Sequence, residues 1–296
     1  MELLQLKYFQ TVAAFEHMTR AAEELHISQP SLSKTITHLE TELGFKLFDR
    51  RGKYIRLNEY GKIFLKNVND IFNKLEDTKK ELKDLSGKES GNIKLLILSG
   101  SKFLPDYLHK FSQQYSHINF ELIQHFSSLE TVTDFDLCIT SSAFKPDKTN
   151  CISLITEEIF LAVPSNHYLA GRTEISLKEA KDENFTSLQH GQILRKITDS
   201  YCRYAGFKPN IIFESDDPAT LRGLIKIGQA VAFLPAITWG NSIGSSMTLM
   251  HIKEPVCKRT LYLFWPEDRY LSDSSKLFIN FLQTYFEKYK KNEFIE

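Results

Sequence analysis

The chain has 296 residues, 42% apolar and 25% charged, the make-up of a soluble globular protein of two or three domains. No apolar run approaches the ~20 residues of a membrane span, and the first residues lack the basic lead, apolar stretch and cleavage site of an export signal. Net charge is zero, and the four cysteines (Cys138, Cys151, Cys202, Cys257) show no Cys-x-x-Cys spacing, which argues against a zinc site and fits a reducing cytosol.

The first sixty residues predict three helices. Leu3, Leu6, Phe9 and Ala13 recur at helical spacing. Thr19 is the expected cap of a second helix, whose Ala21 and Ala22 allow close approach. His26-Ile27 marks a tight break, and Ser28-Gln29-Pro30 opens a third helix with a capping serine and a proline suited to the first turn. Leu32, Ile36, Leu39 and Leu43 form its buried stripe. The opposite face carries Ser31, Ser33, Lys34, Thr35, Thr37 and His38, short polar groups with one cation, a surface able to read base edges or clamp phosphate. Gly44 ends the helix.

Leu47-Phe48 and Ile55-Leu57 read as short strands around a basic Arg-Gly turn, a hairpin with a positive tip. Between Gly44 and Lys66 seven basic residues face two acidic ones, a local excess that offers a footprint for phosphate. Asn58 caps the next helix, where Phe64, Val68, Ile71, Leu75, Thr78, Leu82 and Leu85 alternate spacings of 4 and 3 as in a coiled-coil seam. From Glu59 to Leu85 that helix spans roughly 40 Å at ~1.5 Å per residue. Ser86 to Gly91 is a polar linker.

Beyond Gly91, strands and helices alternate, which predicts mostly parallel sheets. Strands are expected at Ile93–Leu98, Phe120–Ile123, Asp136–Thr140, Glu158–Pro164, Phe185–Leu188, Ile211–Glu214, Val231–Leu234 and Leu261–Trp265. Helices are expected at Phe103–Tyr115, Ser176–Asp182, Ile193–Ala205, Ala219–Ile227 and Ser274–Tyr289. No Ser-His-Asp set, metal spacing or phosphate loop is present.

The run from Thr19 through Ser28-Gln29-Pro30-Ser31-Leu32-Ser33-Lys34 to Leu39-Glu40, followed by Leu43-Gly44-Phe45-Lys46-Leu47-Phe48-Asp49-Arg50, resembles the LysR-type transcriptional regulator family. Pro164 to Ala170 and Gly228 to Pro235 are similar to landmarks of that family's sensing domain. The chain departs from it at Lys34, Asn58, Tyr168 and Gln229, and Ser127–Asp134 is short for the helix the family places there.

The resemblance implies a multidomain chain: a winged helix-turn-helix, mainly α (1–58), and a linker and dimerisation helix (59–88). A periplasmic-binding-protein-like α/β effector domain follows, its two subdomains formed by 89–161 with 266–296 and by 162–265. It implies a cytoplasmic, non-enzymatic regulator that binds double-stranded DNA, assembles as a homodimer or homotetramer, and contacts RNA polymerase if it activates. No cofactor is expected beyond a small-molecule effector. Gln29, Pro30, Ser31, Ser33, Lys34, Thr35 and His38 are the expected groove residues, and Arg50, Arg51 and Lys53 the wing or backbone contacts. Ser99, Ser101, Lys102, Thr140, Ser187 and Phe233 are the expected effector residues; the turn after the first sensing strand suits an anion. Competing readings are an enzyme or binding protein fused to a DNA-binding head, and an architectural DNA-binding protein that ignores small molecules.

Overall fold

The computed structural model describes residues 1–51, 54–87, 91–124, 134–144, 150–239 and 247–291. It forms two compact units, one built mainly by Met1–Lys88, the other by Glu89–Gln124 and Phe135–Glu296. Among the described residues no helix is long and apolar enough to cross a membrane.

The first unit has helices α1 (Leu3–Phe15), α2 (Met18–Glu24) and α3 (Gln29–Leu43), a hairpin of β1 (Phe48–Arg51) and β2 (Tyr54–Leu57), and the long α4 (Glu59–Leu85). The α3 signals act as expected. Ser28 accepts from the Ser31 amide, Pro30 sits in the first turn, and Gly44 stops the helix with φ 76°. Thr19 does not cap α2; the imidazole of His17 accepts from Arg20 N instead, and α2 starts at Met18. Asn58 caps α4 by accepting from Gly61 N and donates to the Lys46 carbonyl. Gly61 has a packing role as well, since a Cβ there would collide with the Leu47 carbonyl oxygen.

The core of this unit gathers round Phe9, whose ring meets Phe48 at 5.5 Å and Phe64 at 5.0 Å. Ala21 and Ala22 are buried in it, as close helix approach requires. The core also takes in Val68, with Phe64, Leu65 and Phe72 packed against it. The expected α4 seam is therefore divided. Phe64 and Val68 serve their own domain, while Ile71, Leu75, Leu82 and Leu85 stay 41–80% exposed.

The strands of the second unit are β3 (Gly91–Ile97), β4 (Ile118–Ile123), β5 (Leu137–Ser142), β6 (Cys151–Pro164), β7 (Glu174–Ser176), β8 (Asn184–Leu188), β9 (Asn210–Ser215), β10 (Ala232–Pro235), β11 (Met247–Glu254) and β12 (Lys258–Phe264). They form one large mixed sheet in the order β4-β3-β5-β12-β6-β11-β7, with β10 also on β6, and a small sheet β8-β9. Helices α5 (Leu104–Gln114), α6 (Ile193–Tyr204), α7 (Pro218–Ile227) and α8 (Asp273–Lys291) complete it. Leu177–Ala180, expected as a short helix from Ser176, is a single 3-10 turn.

The pairing departs from the mostly parallel expectation. β3 is parallel to β4 and β5, but β6 is antiparallel to β10, β11 and β12, and β12 is antiparallel to β5. The physical reason is the chain path: β6 leaves one subdomain for the other and β12 returns beside it, so the two must run in opposite senses.

Two cores mark the subdomains. One holds Ile93, Leu95, Phe103, Tyr107, Phe111, Leu154, Ile155, Leu261, Leu263 and Phe278. The other holds Ile159, Leu161, Phe185, Leu194, Leu221, Val231 and Cys257. Leu261 and Leu263, expected in the second subdomain (162–265), thus pack in the first, and the changeover falls near Glu157 on β6 and Arg259 on β12.

Candidate nucleic-acid interface and effector site

Helix α3 presents two faces. Leu32, Ile36 and Leu39 are buried at 0–3% exposure, and the opposite side is polar. Gln29, Pro30, Ser33, Lys34, Thr37, His38 and Thr41 line a shallow open depression along that outer side. Their spacing of one and four residues keeps them on one face of a 3.6-residue helix. Five expected contacts, Gln29, Pro30, Ser33, Lys34 and His38, lie there.

Ser31 and Thr35 sit on the flank, and the Thr35 hydroxyl donates to the Ser31 carbonyl at 3.0 Å, so part of its hydrogen-bonding capacity is spent on its own helix. Thr41 was not foreseen; four residues beyond Thr37, it continues the row. Lys34 is exposed and has no carboxylate partner among the described residues. His38 shares a 3.5 Å contact with Gln5 of α1, which limits the swing of its ring.

The wing is anchored to this helix by a buried carboxylate. Glu40, 7% exposed, accepts from Leu47 N at 2.9 Å, Phe48 N at 3.4 Å and Lys46 Nζ at 2.8 Å. The Glu16 carboxylate accepts from Leu57 N at 2.9 Å and fixes the second wing strand to the end of α1. In the hairpin Asp49 stands opposite Arg56, and Arg50 opposite Ile55. Lys53 and the side chains of Arg50 and Arg51 lie outside the described residues. Nothing in the sequence distinguished Glu40 from a solvated carboxylate; its anchoring depends on the chain turning back at Gly44.

In the second unit, Ser99, Ser101 and Lys102 follow β3, while Thr140, Ser187 and Phe233 lie within β5, β8 and β10. Ser99 follows β3, and its hydroxyl shares a 2.8 Å hydrogen bond with Ser141 of β5. Strand alternation sends Thr140 to the opposite face from Ser141, so Ser141, rather than Thr140, meets Ser99. Gly100, at φ 76°, turns the chain into the 3-10 turn Ser101–Phe103, where Ser101 and Lys102 are exposed. Neither that turn nor α5 has a side-chain cap, so Ser99 and Ser101 are not helix caps.

Ser187 is half-buried on β8. Phe233 is only 8% exposed and stacks on Phe185 at 5.6 Å, which makes it chiefly a core residue. Arg195 lies below the end of β8, donating to the Leu188 carbonyl, Asp199 and Glu214. An anion arriving there would meet a cation already neutralised, whereas Lys102 is open.

His167 is held by Glu183 at 3.1 Å, a structural pairing that Tyr168 shares. Cys138 and Cys202 are fully buried. Burial pushes the Cys202 thiol up to about 12, so it carries little thiolate at neutral pH. No group of three or more His, Cys, Asp or Glu residues that could hold a metal occurs among the described residues.

Two family models match the chain: the bacterial regulatory helix-turn-helix protein of the lysR family over residues 3–62, and the LysR substrate binding domain over residues 86–287. The HTH-type transcriptional regulator YybE of Bacillus subtilis (strain 168) is 36% identical over 292 residues, covering 97% of this chain and 99% of the relative. The transcriptional dual regulator GltC of the same organism is 31% identical over 295 residues, covering 97% and 98%. Full-length OxyR C199D from Pseudomonas aeruginosa shares the fold, with a TM-score of 0.68 at 21% identity over 96% of this chain and 95% of that one.

Proposed function

Since the chain belongs to the LysR family of helix-turn-helix transcriptional regulators, we propose that the α3 depression is its DNA-reading surface and that a small molecule bound between the effector subdomains controls it. The observation that carries this reading is Lys34, exposed and without a carboxylate partner among the described residues, at the centre of a row of hydroxyl, amide and imidazole groups. Such a row matches the donors and acceptors of a major groove. Gln29, Pro30, Ser33, Lys34 and His38, joined by Thr37 and Thr41, form the reading face. Ser31 and Thr35 border it, and Arg50, Arg51 and Lys53 contact the sugar-phosphate backbone from the wing.

Ser99, Ser141, Ser101 and Lys102 on one subdomain and Ser187 on the other bind the effector, whose anionic group pairs with Lys102. The protein works in the cytoplasm as a homodimer, or a tetramer of two such dimers, joined along the exposed α4 stripe, and an activating member would touch RNA polymerase. It regulates rather than catalyses.

Lys34→Ala tests the DNA surface. Loss of one base contact is expected to weaken operator binding by about 1–3 kcal/mol, or loss of one phosphate contact to reduce the salt slope by about 0.9. Fluorescence anisotropy on a duplex selected from a random pool reads both, and circular dichroism should show the fold intact. Unchanged affinity and slope would remove Lys34 from the interface.

A further inference from the structure

The passage between the two effector subdomains is built around a buried ion pair. Glu157 of β6 is 1% exposed and Arg259, its register partner on β12, is 3% exposed. Arg259 Nε donates to Glu157 Oε1 at 2.8 Å. The same carboxylate accepts from the backbone N–H groups of Ile237 and Thr238, both at 2.8 Å, and from the Thr238 hydroxyl. Arg259 Nη2 closes the ring by donating to Thr238 Oγ1 at 2.8 Å.

Three stretches of chain thus meet on one carboxylate: β6 passing out, β12 passing back, and the segment after β10. That segment touches both cores, Ile237 packing against the first and Trp239 buried in the second. Backbone bonds brace the same level, with Ile159 N donating to the Cys257 carbonyl at 2.8 Å and Ala236 N to the Glu158 carbonyl at 2.9 Å.

We propose that Glu157, Arg259 and Thr238 form a lock at the crossover, so that the two subdomains respond to effector as one body rather than by hinge closure. Hinge motion requires a few residues at the crossing to absorb large backbone rotations. Here, rotation at any of the three stretches would leave a buried charge, or a buried amide, without its partner, a costly state. An effector can drive a change only by the difference in its affinity for the two states. The response therefore runs through the loops at the strand ends, such as Ser99–Lys102. This consequence rests on the effector reading above, but the lock does not, and it is tested without any ligand.

The test is hydrogen–deuterium exchange on the full-length chain. The backbone amides of Ile237 and Thr238 are expected to exchange as slowly as those of β6 and β12; exchange at the rate of exposed loops would overturn the proposal. Glu157→Gln, which keeps the shape and removes the charge, is expected to speed exchange at 237–238 by roughly tenfold, with the interiors of both cores unchanged. Equal rates in the variant and the parent would overturn it as well. Should that variant fail to fold, Thr238→Val removes only the hydroxyl, and the same local acceleration, smaller, is expected; no acceleration there counts against the lock.

Discussion

Glu40→Ala is expected to destabilise the DNA-binding unit by about 2–4 kcal/mol, since each buried N–H left without its acceptor costs about 1–3 kcal/mol. Two amides, Leu47 N and Phe48 N, depend on this carboxylate. Lys46 loses its partner too, but that side chain is 69% exposed and contributes little. The wing then keeps its hairpin pairing, the Glu16 bond to Leu57 N and the packing of Leu47, Phe48 and Ile55 in the core. Urea unfolding followed by fluorescence measures the loss. Glu40→Gln, which keeps an acceptor for the two amides, should recover most of it. Equal destabilisation by Gln and Ala would show that charge rather than amide satisfaction holds the wing.

The second large effect concerns assembly. Leu75→Asp is expected to convert the proposed homodimer to monomer at micromolar concentration, read by light scattering as a halving of mass. Each leucine buried at a seam contributes about 1.5–3 kcal/mol, and the dimer holds two copies. Losing both corresponds to a weakening of a hundredfold or more, at about 1.4 kcal/mol per factor of ten. Within one chain Leu75 is 41% exposed, so the substitution leaves the fold of the protomer intact. A dimer that survives it would place the interface elsewhere.

How far the sequence revealed these features depended on how local their causes are. The α3 boundaries were plain because a serine cap, a first-turn proline and a left-handed glycine act within a few residues of themselves. The α2 cap was misread because His17, an uncommon cap, takes the place that Thr19 offered. The α4 stripe was visible, but its 4 and 3 spacing cannot say which partner covers which turn; Phe64 and Val68 turned out to belong to the core around Phe9.

Long-range pairing was the least legible. Residues 151–157 of β6 lie outside the strand expected at Glu158–Pro164; they pair with β12, where Glu157 meets Arg259, 102 residues away. The strands Met247–Glu254 and Glu174–Ser176 were missed for a similar reason, each pairing with distant chain. At the proposed effector site, Ser99 stands out by its place at a strand end. Its partner Ser141 depends on which way β5 turns its alternate side chains, a register set by β3 and β12.

The most direct measurement is competition binding of the purified full-length chain to its best selected duplex against unrelated duplex at moderate ionic strength. A regulator reading bases through α3 should prefer the selected duplex by about a thousandfold or more. Equal affinity for every double-stranded sequence would contradict the assignment of that face.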